Sequence, residues 1–310
     1  MIDPVVIDCN YFGPEIAAAF LLVESGRAAF VETNTEHAVP TLLRALEDQG
    51  LTPEHVDYVI VTHAHLDHAG GAGELMRLCP NAKLLAHPRA AKHLIDPTKL
   101  IASAKVVYGE QRFAQLYGEI KPIAAERVQV MEDGTQHVWG ERTLRFLHTR
   151  GHANHHMCIH DSGANTVFSG DAFGLAYPGL QSQGLFIFPS SSPTDFDPIE
   201  AKASIKKILA TGATSVYLTH FGKLTALAQA AEQLEDHLEF CEGLLHEASA
   251  SRLTDAELDK FCEGHMRRFF AKSFEARKIT LGLAAWKLLD LDLKLNAAGI
   301  AWVAKKRRAS

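Results

Sequence analysis

His63, His65, Asp67 and His68 lie in the run Val-Thr-His-Ala-His-Leu-Asp-His-Ala-Gly-Gly, residues 61–71, directly after the apolar stretch that includes Val59 and Ile60. Imidazole and carboxylate donors together suit zinc, iron, cobalt or manganese, and a donor set without thiolate points to a reactive metal. A structural zinc site would normally close its shell with cysteines. The five cysteines (Cys9, Cys79, Cys158, Cys241, Cys262) are scattered and never form a C-x-x-C pair, so they read as thiols of a reducing compartment.

Three later signals repeat the arrangement of a ligand-type residue behind a short apolar run. Gly151-His152 follows Leu144 to His148, Gly170-Asp171 follows Thr166 to Ser169, and His220 follows Ser215 to Thr219. The C-terminal end of a strand is where a sheet edge can converge several side chains on one point. The chain holds 17 histidines, so an isolated one is ordinary filler. That reading suits His37, His55, His93, His137, His237, His246 and His265, with His148 a strand residue. His155 and His156 are balanced between strand positions and partners for the second nitrogen of a ligating imidazole.

The elements that must position these residues follow from periodicity. Val5 to Asp8, Ala19 to Glu24 and Ala28 to Glu32 predict an antiparallel meander, Thr35 to Asp48 an amphipathic helix, and Val56 to Val61 the strand that delivers the cluster. Ala72 to Leu78 reads as helix, Lys83 to Ala86 as strand, and 89–118 as helical. Arg127 to Val130, His137 to Trp139, Leu144 to His148, Met157 to His160 and Thr166 to Ser169 predict a second meander of five strands. Asp195-Phe-Asp-Pro198 starts a helix that runs to Leu209.

Beyond Phe221 the pattern is helical. An apolar stripe runs from Leu224 to Leu245, a capping box at Thr254-Asp-Ala-Glu257 opens a second helix, and a third spans Ile279 to Leu295, ending near Gly299. The basic run Lys305-Lys-Arg-Arg308 reads as a solvated tail. These patterns set a boundary near residue 222.

His-x-His-x-Asp-His, then Gly-His, Gly-Asp and a late His after a strand, resembles the motif series of the metallo-β-lactamase-fold superfamily, in its glyoxalase II and lactonase-like group. The resemblance covers residues 1 to about 222. It implies an α+β fold, a four-layer αββα sandwich forming a catalytic domain over 1–222, with 223–310 as a helical extension packed on it. It also implies a two-metal site in which His63, His65 and His152 bind one ion, Asp67, His68 and His220 bind the other, and Asp171 bridges. The cofactors are then two divalent metal ions, zinc first, with iron or manganese as alternatives. Asp67 is also the catalytic carboxylate that holds the attacking water.

Two positions depart from family patterns. Arg150 stands where Pro commonly precedes the Gly-His pair, and Gly174 stands where acyl-homoserine lactonases often carry Tyr. His65, by contrast, separates the chain from flavodiiron oxygen reductases, which usually show Glu there.

The resemblance therefore implies a hydrolase of a small ester, thioester, lactone or phosphodiester. Alternatives are an iron-dependent dioxygenase or di-iron oxygen-binding protein, and a non-enzymatic ligand-binding regulator. The segments 89–118 and 178–198 and the C-terminal helices are expected to frame the substrate pocket. A net charge of −6 argues against nucleic acid as partner. No signal peptide or membrane span is read, so a cytoplasmic protein with a small-molecule substrate is expected. The 224–245 stripe offers a homodimer interface as the alternative to packing on the sandwich.

Overall fold

The computed structural model describes residues 3–191 and 194–309. Of the segments read above, residues 1, 2, 192, 193 and 310 lie outside the described residues. Contacts divide the chain into two compact units.

The first unit comprises Met1–His148, His155–Gly170 and Ile208–Thr225 and contains both sheets. One sheet has the order β1 (Val5–Asp8), β2 (Ala18–Glu24), β3 (Arg27–Val31), β4 (Val56–Ile60), β5 (Lys83–Ala86) and β6 (Val128–Val130). β1 to β3 are antiparallel, and β3 to β6 pair in parallel. The second sheet runs from β7 (Gln136–Trp139) through β8 (Arg142–His148), β9 (Met157–Asp161), β10 (Thr166–Gly170) and β11 (Ser215–Leu218) to β12 (Gly222–Leu224). Only β10 and β11 are parallel in it, and they are joined through a helix.

Alternation along the strands fills two cores. Phe20, Val31 and Ile60 of the first sheet meet Phe146, Ile159 and Phe168 of the second in a shared layer. The opposite face of the first sheet (Leu21, Phe30, Val59, Leu84) packs on α1 (Val39–Asp48) and α3 (Ala72–Leu78), with the single turn α2 (Leu66–Ala69) leading into α3. The insertion expected to be helical is three helices, α4 (Pro88–Ile95), α5 (Thr98–Tyr108) and α6 (Glu110–Tyr117).

The second unit comprises Thr149–Asn154, Asp171–Lys207 and Ala226–Ser310. The helix α7 (Pro198–Leu209) begins in it, and the Asp197 carboxylate accepts from Ile199 N and Glu200 N, the start expected there. Three long helices follow: α8 (Leu227–Ala250), α9 (Asp255–Arg277) and α10 (Leu283–Ala309). The capping box at Thr254 and Glu257 is formed.

Two expectations need correction. The strand at Val128–Val130 does not open the second meander but joins the first sheet beside β5, because a period of two fixes a strand's faces and not its neighbour. The last helix does not stop near Gly299. It passes through that residue, which is buried inside α10, so close helix packing outweighs glycine's roughly 1 kcal/mol propensity cost. The run 305–308 is solvated as expected, but it forms the last turns of α10, where Lys305 bonds Asp259 at 2.7 Å and Arg308 bonds Leu253 O at 2.6 Å.

Candidate metal centre

Parallel pairing of β3 with β4 sends their C-terminal ends the same way, so Glu32 and the 62–68 segment emerge side by side. Val31 faces Ile60, and Glu32 N donates to Ile60 O at 2.8 Å. His65 then caps α2, which presents Asp67 and His68. The 33–34 loop clamps that turn: Thr33 N donates to His68 O at 2.9 Å, and Asn34 Nδ2 to Asp67 O at 2.9 Å.

Four of the imidazoles are oriented through the second nitrogen. His220 Nδ1 lies 2.8 Å from Ile16 O, an acceptor only, so Nδ1 carries the proton and Nε2 the lone pair. His68 Nδ1 donates to Glu32 Oε1 at 3.0 Å. The Thr62 hydroxyl gives its proton to Glu32, so its oxygen accepts from His63 Nδ1 at 3.0 Å. In the second unit, His152 Nδ1 donates to Ser190 O at 3.2 Å. Four of the five expected histidine ligands thus carry an Nε2 lone pair.

Within each unit the donor atoms lie close together. Asp67 Oδ2 is 3.9 Å from His68 Nε2 and 3.7 Å from His220 Nε2, and His63 Nε2 is 2.9 Å from His65 Nδ1. In the second unit His152 Nε2 is 3.4 Å from Asp171 Oδ2. Donors bound tetrahedrally to one cation at about 2.1 Å sit about 3.4 Å apart, so these spacings and this N/O chemistry fit a divalent metal. Asp67, His68 and His220 form one group of ligand atoms, all within 4.8 Å of one another, and Glu32, His63 and His68 form another. The first unit therefore brings together five of the expected ligands, and the second pairs the remaining two. Asp67 is the open member, its side chain 30% exposed against 1% for His68.

Sequence reasoning missed Glu32. It is fully buried and accepts from the Thr62 hydroxyl, His68 Nδ1 and the Thr219 hydroxyl. Its Oε1 accepts all three, so it anchors residues that carry ligand atoms. Its one sequence signal was an acid directly after a buried strand.

The glycines of the two short motifs are required by space. Gly170 has φ +48°, and a Cβ there would lie 2.5 Å from Thr62 Oγ1 and 2.6 Å from His156 Nε2. Gly151 has φ +120°, and a Cβ there would lie 2.3 Å from Ala201 N. His155 supports the cluster, its Nδ1 accepting from Ala64 N at 3.4 Å, and the buried His156 ring is 4.8 Å from the His63 ring. Burial pushes the His87 pKa down to about 3, so that ring, 4.1 Å from His148, is neutral. All five cysteines are buried and none is in a disulfide. Burial pushes the thiols of Cys9, Cys79 and Cys241 up to about 12, which removes them as nucleophiles.

Residues 12–220 match the sequence profile of the metallo-β-lactamase superfamily. The chain belongs to that superfamily. The metallo-β-lactamase fold-containing protein ST1585 of Sulfurisphaera tokodaii is 25% identical over 184 residues, which is 58% of this chain and 63% of ST1585. Its crystal structure aligns with 97% of this chain and 98% of its own, at a TM-score of 0.65 and 20% identity, a likeness of fold. An atrochrysone carboxyl ACP thioesterase of Pseudocercospora fijiensis is 23% identical over 288 residues, 88% of this chain and 74% of the relative. A hydroxyacylglutathione hydrolase of Aeromonas salmonicida is 26% identical over 132 residues, 41% of this chain and 39% of the relative. The superfamily fold, an α+β sandwich with C-terminal helices, is thus the architecture of this chain. Among the described residues no helix is long and apolar enough to cross a membrane.

Proposed function

We propose that this chain is a metal-dependent hydrolase that cleaves small thioesters at a two-metal centre, within a wider range of esters, lactones and phosphodiesters. The observation that carries this reading is the set of imidazoles whose Nδ1 protons are fixed by Ile16, Glu32, Thr62 and Ser190, each presenting Nε2. The thioester preference is supported by the names of two relatives, a carboxyl ACP thioesterase and a hydroxyacylglutathione hydrolase.

In this reading His63, His65 and His152 would hold one cation, Asp67, His68 and His220 would hold the second, and Asp171 would serve both. Zinc suits this donor set, with iron or manganese as alternatives. Two such cations supply a water whose pKa falls from about 15.7 to about 7 and a Lewis acid for the acyl oxygen. Asp67, the partly exposed carboxylate of the group, would be placed to orient a water there and to take up its proton. Glu32 keeps the His68 proton on Nδ1 throughout.

The test is elemental analysis of protein purified without added metal, followed by a thioester, lactone and phosphodiester panel. Two equivalents of zinc and thioester turnover, both lost in His63→Ala and Asp171→Ala, are expected. Turnover that survives both substitutions overturns the assignment. Stoichiometric iron with oxygen consumption would move the reading to dioxygen chemistry.

A further inference from the structure

Directly after β3 the backbone enters the left-handed region twice, with φ +66° at Glu32 and φ +52° at Asn34. Asparagine adopts that region more readily than most side chains, and glycine more readily still. Glycine would therefore serve position 34 as well if backbone shape were all that mattered. Asn34 is only 2% exposed, and its Oδ1 is buried with no hydrogen-bond partner among the described residues. An unpaired buried acceptor costs stability. The amide is thus retained against a cost, and its Nδ2 is the atom that can offset it.

The offset lies in α2. In a continuing helix, Gly71 N would donate to Asp67 O, four residues back. Gly71 N donates instead to Asn34 O at 2.7 Å, and Asn34 Nδ2 donates to Asp67 O at 2.9 Å. Asn34 takes a helical donor with its main chain and replaces it with its side chain. Beside it, Thr33 N and the Thr33 hydroxyl both donate to His68 O, at 2.9 and 3.0 Å. The two segments are in direct contact, since a Cβ on Gly71 would lie 2.7 Å from Thr35 O and 2.9 Å from Thr33 O.

This support is local to one part of the centre. α2 is a single turn of four residues, and one turn does not hold its own geometry because helix nucleation is unfavourable. Its carbonyls at 67 and 68 are held from outside. The side chains of those same residues are two of the three members of the Asp67, His68 and His220 group. His63 lies before the turn and is oriented by Thr62.

We propose that Asn34 is a positioning residue for the Asp67, His68 and His220 group, holding α2 in the geometry that presents two of its three ligand side chains. The proposal rests on the two-metal reading above and divides that centre: the amide supports one cation position and leaves the one at His63 and His65 to other contacts.

The test is Asn34→Gly in the full chain, which keeps the backbone shape and removes the amide. Circular dichroism and Tm of the metal-free protein establish that it is folded. Zinc is titrated in competition with a chromophoric chelator, and bound zinc is counted by elemental analysis. Of two equivalents in the wild type, one should bind about tenfold or more weakly in the variant, the usual cost of removing a residue that orients a ligand, while the other stays within about twofold. Equal weakening of both ions, or wild-type binding of both, overturns the proposal. Hydrogen exchange of the metal-free protein gives a readout that needs no zinc. Amides of residues 66–72 should exchange faster in Asn34→Gly, with those of β4 unchanged. Wild-type exchange across 66–72 also overturns the proposal. A wild type that binds a single ion removes the two-metal reading, and the role of Asn34 is then decided by the exchange of 66–72 alone.

Discussion

Glu32 shows how a single residue can organise the neighbours that surround it. Its carboxylate sets the His68 tautomer and fixes the Thr62 hydroxyl, which in turn orients His63. One side chain therefore aligns two imidazoles. Glu32→Ala should weaken metal binding about 10–100-fold, the usual cost of removing a residue that orients a ligand. Glu32→Gln should lose less, because one amide oxygen still accepts. Competition with a chromophoric chelator, scaled to the folded fraction, measures both. Unchanged affinity in Glu32→Ala would show that His68 is oriented by packing alone. The chain gave little warning of this role: Glu32 is one of 37 acidic residues, and its partners are contributed by residues 62, 68 and 219. By contrast, the His63–His68 cluster was legible because four donors share one short segment.

At the scale of elements, what could be read was what local periodicity encodes. β1 matches its expected range, and the Thr254 capping box and Asp197 start signal formed where they were read. Pairing and packing were not legible: β6 joined the first sheet, and α10 continued through Gly299, because both outcomes depend on distant neighbours. His237 on α8 is a similar case. It reads as filler, and its ring lies 4.8 and 5.2 Å from those of Phe269 and Phe270 on α9. Its Nε2 has no hydrogen-bond partner among the described residues. Burial, with Arg277 adding to it, pushes its pKa from 6.5 down to about 3. The unfolded chain therefore binds a proton here that the folded helices refuse. The contribution to stability is complete above pH 6.5 and is lost as pH falls towards 3, at about 1.4 kcal/mol per unit. Between pH 7 and pH 5 this histidine should cost about 2 kcal/mol, and His237→Leu should remove that share of the pH dependence. Urea unfolding of both proteins at the two pH values decides it; an identical pH dependence would falsify the account.

At the largest scale, the site depends on two sheets staying in register, and one buried guanidinium brackets them. Arg142 opens β8 and is 1% exposed. Its Nε donates to Glu24 at the end of β2, at 3.0 Å, and its Nη1 to Asp161 at the end of β9, at 2.6 Å. One side chain thus spans both sheets of the sandwich. The Glu141 amide and the Arg142 guanidinium hold the Glu24 carboxyl below its usual pKa. Asp161 also accepts from Gly163 N at 2.8 Å and is fully buried, so it has no route to water when its cation is removed. Arg142→Ala should therefore destabilise the fold by about 3–5 kcal/mol, most of it the cost of stranding Asp161. Arg142→Met combined with Asp161→Asn should recover much of that loss, since Met fills the space of the arginine stem and the amide carries no charge. Urea denaturation of the single and double variants separates the two outcomes. If Arg142→Ala alone stays within about 1 kcal/mol of wild type, the bracket contributes no more than an exposed pair, and apolar packing alone holds the sheets in register.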